Sequence, residues 1–113
     1  MGFTMDDGTE RRKRLETELP RIVEVLKEKG ARKIILFGSL ARGDVGPISD
    51  LDLIVVLETE MSFTQRLAYL YDTLDQKVAL DLLPYTHVEL DELRESRPFI
   101  GQALREGRVL YEA

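Results

Sequence analysis

Three short apolar runs, each stopped by a residue that ends a strand, constrain this chain more than anything else in it. Ile34, Ile35, Leu36 and Phe37 follow one another between Gly30 and Gly38, Leu51 to Leu57 forms a second run, and Val78 to Leu83 runs up to Pro84. Runs this short, apolar and bounded by Gly or Pro read as buried strands rather than helices. The segments between them carry helical spacing instead. Leu15, Leu19, Ile22 and Leu26 recur along a first helix that stops at Gly30, with Pro20 marking a kink or a start. Ser62 with Gln65 forms a capping-box signature ahead of the stripe Phe63, Leu67, Leu70 and Leu74. Thr86 with Glu89 repeats the signature before Val88, Leu90 and Leu93, and Pro98 divides that helix from a piece carrying Phe99, Ile100, Ala103 and Leu104. After Gly107, Arg108 to Tyr111 reads as an edge strand. The expected fold is α+β, a small mixed sheet flanked by helices.

Composition narrows the chemistry. At 113 residues the chain predicts one domain over 1–113, with residues 1–8 frayed. The 16 basic residues against 21 acidic ones give a net charge of −5, which argues against extensive contact with nucleic acid. No apolar run approaches the ~20 residues of a membrane helix, and no apolar signal core opens the chain, so a cytoplasmic location is expected. With no cysteine and a single histidine, thiolate and multi-histidine metal centres are excluded. Any metal must sit on oxygen.

Chemistry concentrates in Phe37-Gly38-Ser39-Leu40-Ala41-Arg42-Gly43-Asp44 and, six residues on, Asp50-Leu51-Asp52-Leu53. Gly38 and Ser39 leave a buried strand and enter one helical turn, so their backbone N–H groups can face an anion. Glycine admits phosphate oxygens where a side chain would clash. Asp50 and Asp52, two apart, project from one strand face about 7 Å apart at the backbone. Asp is depleted in strand interiors, which asks for a cation between them. Asp81 interrupts the third run in the same way, and a neighbouring strand could bring it alongside. Three carboxylates about 5 Å apart would repel by roughly 3 kcal/mol per pair at an effective dielectric near 20. A hard divalent cation relieves this, and Mg²⁺ takes one or two carboxylates plus substrate phosphates. One ion or two would serve nucleotidyl transfer, with ATP or another NTP as donor. Arg42 could reach a triphosphate oxygen from the short turn, or stand solvent-exposed or paired with an Asp.

Gly38-Ser39-Leu40-Ala41-Arg42-Gly43 followed by Ser49-Asp50-Leu51-Asp52-Leu53 resembles the signature of the polymerase-beta-like nucleotidyltransferase superfamily, in particular its minimal nucleotidyltransferases. The resemblance extends from about Lys33 to Leu83, with Phe99 to Glu112 similar to the closing helix and strand. It implies the polymerase-beta-like fold, Gly38 and Ser39 on the triphosphate, Asp50 and Asp52 on Mg²⁺, and Asp81 as third carboxylate, at the metal or at the acceptor hydroxyl. Larger relatives hold the acceptor on a second domain, for which this length leaves no room. Minimal members act as antitoxins to helical HEPN-type toxins, and some transfer AMP to a tyrosine of the toxin. The implied function is therefore AMP transfer to a hydroxyl of a HEPN-type partner. A non-catalytic antitoxin or a nucleotide-sensing binding module is the alternative.

Other residues are read as structural. Ser49 fixes the turn before its strand, Asp44 is a solvated turn residue, and His87 is a surface residue at a helix start. Arg11-Arg12-Lys13-Arg14, with Glu10, Glu16 and Glu18 nearby, is a solvated helix face. Tyr69 and Tyr71 are packing or partner surface. Arg94, Arg97, Arg105 and Arg108 form a basic face suited to an acidic partner.

Overall fold

The computed structural model of the chain describes residues 8–113. The expected fraying of residues 1–7 lies outside the described residues, whereas Gly8 is buried and its carbonyl accepts from Arg12 N at 2.8 Å. The elements run α1 (Thr9–Glu28), β1 (Lys33–Phe37), α2 (Gly38–Arg42), β2 (Leu51–Val56), α3 (Phe63–Tyr71), β3 (Leu80–Tyr85), α4 (His87–Ser96), α5 (Pro98–Glu106) and β4 (Arg108–Glu112). The four strands form one sheet in the order β3-β2-β1-β4. β1 is antiparallel to β2 and to β4, while β2 and β3 are parallel, so the sheet is mixed as expected.

Strand alternation splits the apolar runs between two faces. Ile34, Leu36, Leu51, Leu53, Val55, Leu80 and Leu82 pack with Leu15, Leu19, Ile22 and Leu26 of α1 and Leu70 of α3. Ile35, Phe37, Ile54 and Val56 face the other way, against Leu90 of α4 and Ile100 and Ala103 of α5. Both faces are covered, which is why the runs look continuously apolar. Arg66 of α3 is buried, and its guanidinium donates to both carboxylate oxygens of Glu89 on α4 and to the Pro84 carbonyl. That fork ties helices on opposite faces around the β3 edge.

Three local expectations need correction. Pro20 does not start α1, which begins at Thr9 and continues through it to Glu28, because burial of the stripe from Leu15 to Leu26 outweighs one lost backbone hydrogen bond. The α3 stripe overshoots. The helix ends at Tyr71, and Leu74 is buried from a turn flanked by Thr73 and Asp75, both at positive φ. The third strand begins at Leu80, not Val78, and continues through Pro84 to Tyr85. Pro is tolerated there because β3 is an edge strand, with an N–H to spare on its open side.

Candidate active site

β1 ends by delivering Phe37 to Gly38 at φ +76°, a conformation that side chains disfavour. A Cβ on Gly38 would also overlap the Asp52 Oδ2 and stand 3.0 Å from its Cγ. The positive φ and the approach of the Asp52 carboxylate both favour glycine here. The single turn of α2 closes at Gly43, whose N–H donates to the Ser39 and Leu40 carbonyls at 2.9 and 3.3 Å, with Asp44 N also donating to Ser39 O at 3.0 Å. At the opposite end, the first N–H groups of the turn have no partner within the helix. Gly38, the first residue of the turn, stands against the Asp52 side chain near the start of β2.

Register gathers the acids. Asp52 stands across from Phe37 on β1 and directly across from Asp81 on parallel β3, so both carboxylates lie on the α4–α5 face. Asp50 lies one residue before β2, in the approach to the strand rather than in it. The beginnings of these strands are held by Leu51 N donating to Ala79 O at 3.0 Å and by the Tyr71 hydroxyl donating to Leu80 O at 2.6 Å. Burial pushes the Asp52 carboxyl up to about 6, the charges of Asp81 and Asp50 push the same way, and Arg42 opposes them. A protonated Asp52 can donate to Asp81, a hydrogen bond that also favours the neutral form.

The donor set suits a hard cation. Carboxylate oxygens match Mg²⁺, and the like charges of Asp81 and Asp50, which add to burial in raising the Asp52 ionisation, are what such an ion would relieve. Among the described residues, no three carboxylate or imidazole side chains are gathered into a finished metal site. Phosphate oxygens and water would complete the shell, as they do for Mg²⁺ generally.

Arg42 borders the same end. Its Nε lies 3.3 Å from Asp44 Oδ2 and its Nη1 3.7 Å from Glu106 Oε2, and the side chain is exposed. Glu106 is a contact that the sequence did not flag, since its partner lies far away in the chain. The same holds for the basic run of α1. Arg11 Nε donates to Pro47 O at 3.1 Å and Arg12 Nη2 to Gly43 O at 2.9 Å, so two of those residues pin the loop that leads to Asp50. Ser49 fixes the turn as expected, accepting from Gly46 N at 2.8 Å. His87 is exposed and pairs with Asp91 at 3.3 Å.

The family profile described as Polymerase beta, Nucleotidyltransferase matches residues 20–113. The chain belongs to this nucleotidyltransferase family. A candidate protein adenylyltransferase of Methanocaldococcus jannaschii is 34% identical over 102 residues, spanning 85% of this chain and 97% of that relative. The crystal structure of a candidate nucleotidyltransferase from Sulfolobus solfataricus superposes with a TM-score of 0.67 at 22% identity, covering 99% of this chain and 92% of that one. A toxin–antitoxin complex crystallised with AMP-PNP gives 0.58 at 23% identity over 83% of this chain and 73% of that one. A mutant of the toxin–antitoxin MntA–HpeT gives 0.56 at 23%, over 84% and 72%. These likenesses establish a shared nucleotidyltransferase fold, and the protein is a nucleotidyltransferase. No helix among its described residues is long and apolar enough to cross a membrane.

Proposed function

We propose that this nucleotidyltransferase moves AMP from ATP to a hydroxyl of a partner protein, a HEPN-type toxin, with Mg²⁺ bound at Asp50 and Asp52. The observation that carries the reading is the register of Asp52 with Asp81, immediately beside Gly38, which meets the Asp52 carboxylate at a positive φ. Similarity to a candidate protein adenylyltransferase and to chains of toxin–antitoxin complexes supports a protein partner of the toxin kind, and the HEPN class is the one the sequence resemblance implies.

Backbone N–H groups of Gly38 and Ser39 bind the distal phosphates, and Arg42 turns from Asp44 and Glu106 to a phosphate oxygen. One or two bound Mg²⁺ ions would neutralise the pyrophosphate and make the acceptor hydroxyl more acidic. Asp81, exposed at the edge strand, meets the acceptor and takes its proton or adds a third metal oxygen. The acceptor oxygen bonds to the α-phosphorus, and the bond from that phosphorus to the pyrophosphate oxygen breaks. The protein's part is alignment and charge placement.

The test mixes the full chain with Mg²⁺, ATP labelled on its α-phosphate and a candidate toxin. Label should pass to the toxin, and Asp52→Ala should reduce the rate by at least ~100-fold. Equal labelling by both proteins would remove Asp52 from the site.

A further inference from the structure

The four arginines that the sequence groups as one basic face part company in the structure. Arg108 stands across from Leu36 and so faces α1–α3, and Arg97 follows α4 on the side of Tyr85. Arg94 of α4 and Arg105 of α5 instead line one recess of about 470 Å³, together with Lys33 of β1. Ile35, Leu104 and Val109 supply its apolar lining, and Val109 is 51% exposed. Gly101 lets the two helices close up there: a Cβ on it would stand 3.2 Å from the Arg94 carbonyl oxygen and 3.4 Å from Arg105 Nη1. The Arg105 guanidinium is therefore folded back along α5 toward α4. Lys33 has Glu112 at 3.0 Å, but neither Arg94 nor Arg105 has an ion-pair partner among the described residues, although Glu95 lines the same recess. In a chain with 21 acidic residues against 16 basic ones, two unpaired guanidiniums in one concavity are a local excess of positive charge that the fold leaves uncompensated.

We propose that this recess docks an acidic segment of the acceptor protein, with a carboxylate between Arg94 and Arg105 and an apolar neighbour against Ile35 and Val109. The inference rests on the protein acceptor proposed above and adds the surface on which that protein is held. A guanidinium fork matches a carboxylate in a two-point pair, and Arg keeps its charge when partly desolvated. A polynucleotide suits the surface less well. The adjoining recess, which shares Lys33 and Arg94, is also lined by Glu58, Asp91 and Glu112, and these acids would repel successive phosphates. A polypeptide can change sign along its length, with an acidic residue at the arginines and a basic one beside Glu58 and Asp91. The location also keeps docking apart from transfer. Lys33 and Phe37 are the two ends of β1, about 13 Å apart along the strand, and Phe37 is the cross-strand partner of Asp52. A protein held at the Lys33 end leaves the acids uncovered and raises the effective concentration of its hydroxyl beside them.

The full chain, as wild type and with Arg94→Glu and Arg105→Glu combined, is titrated calorimetrically with the candidate toxin used as acceptor above and, separately, with ATP and Mg²⁺. The charge reversal should weaken the toxin complex about tenfold and flatten its salt dependence, while ATP affinity stays within about twofold. In the labelling reaction the KM for the toxin should rise with kcat unchanged. Arg94→Gln with Arg105→Gln should give a smaller loss in the same direction, and melting temperatures close to that of wild type verify that both variants fold. If both variants bind and label the toxin as wild type does, the docking site is overturned while the transfer reading stands. If wild type neither binds nor labels the toxin, the acceptor reading fails and takes the docking site with it. Binding of a single-stranded RNA that the charge reversal abolishes, with the toxin complex unchanged, would give the recess to a nucleic acid. A wild-type dimer that the reversal converts to monomer, again with the toxin complex unchanged, would give it to a second copy of this chain.

Discussion

The two faces of the sheet are built from the same strands yet do opposite work. On the α1–α3 side the inward positions of β1, β2 and β3 are Ile, Leu, Val or Pro, with Leu110 and Tyr111 of β4 packed against them, and Leu15, Ile22, Leu26, Leu36, Leu51 and Leu53 have no exposed surface. On the α4–α5 side the apolar positions cover only part of the face, and where β2 and β3 begin, the inward positions are Asp52 and Asp81. Stability and chemistry are thereby separated by a single peptide unit: Leu51 and Leu53 anchor the core while Asp52, between them, carries the charge. The larger apolar layer on one side backs the face that carries the acids.

This contrast can be broken in three ways. Leu36→Ala, on the thick face, should lower unfolding free energy by about 3 kcal/mol in denaturant titration. Below its melting temperature the variant should keep its transfer rate, and a stable but inactive Leu36→Ala protein would show that the faces are not separable. Asp52→Asn should do the reverse. Because Asp52 ionises near 6 in the folded chain rather than at the ordinary 3.8, the native state keeps a proton that the unfolded chain has released. Stability without Mg²⁺ therefore declines as pH rises from about 4 through 6. The Asn variant escapes this and should exceed wild type by about 1 kcal/mol at pH 8 after allowance for screening, with no advantage below pH 4. A pH-independent difference would refute the assignment.

The smallest effect belongs to Glu18 on α1. A hydrogen-bonded pair with Arg21 and the Lys77 backbone N–H hold its carboxyl down to about 2. That contribution is complete above about 4.5 and fades as pH falls toward 2. Glu18→Gln should cost a few tenths of a kcal/mol at pH 7 and flatten the acid limb of the melting-temperature profile. An unchanged acid limb would mean that the pair does not secure the segment before β3.

Much of this was legible beforehand, for reasons that particular residues make plain. Gly38 and Asp52 are informative because each is unfavourable where it stands unless something else compensates, and local misfit survives in a linear string, whereas Asp50 lies before the strand and is legible only from its spacing to Asp52. Ser62–Gln65 and Thr86–Glu89 were equally readable, since a capping box is complete within four residues. What failed depended on distance. The pairing of Asp81 with Asp52 could be conjectured but not registered, and the grip of Arg11 and Arg12 on the loop after α2 has no signature in the run itself. Pro84 misled because the rule that Pro ends a strand is relaxed at an edge, and edges are a property of the sheet. Leu74 misled because a buried side chain can reach the core from a turn as well as from a helix.

β2 and β3 run parallel, so they cannot meet through a tight reversal; the chain must travel through α3 before Asp81 arrives opposite Asp52. The β1–β2 pair alone carries two of the acids and the glycine turn without the third. The close approach of two carboxylates is consequently a property of the crossover and not of either strand: it exists only where α3 has returned the chain to lay β3 beside β2.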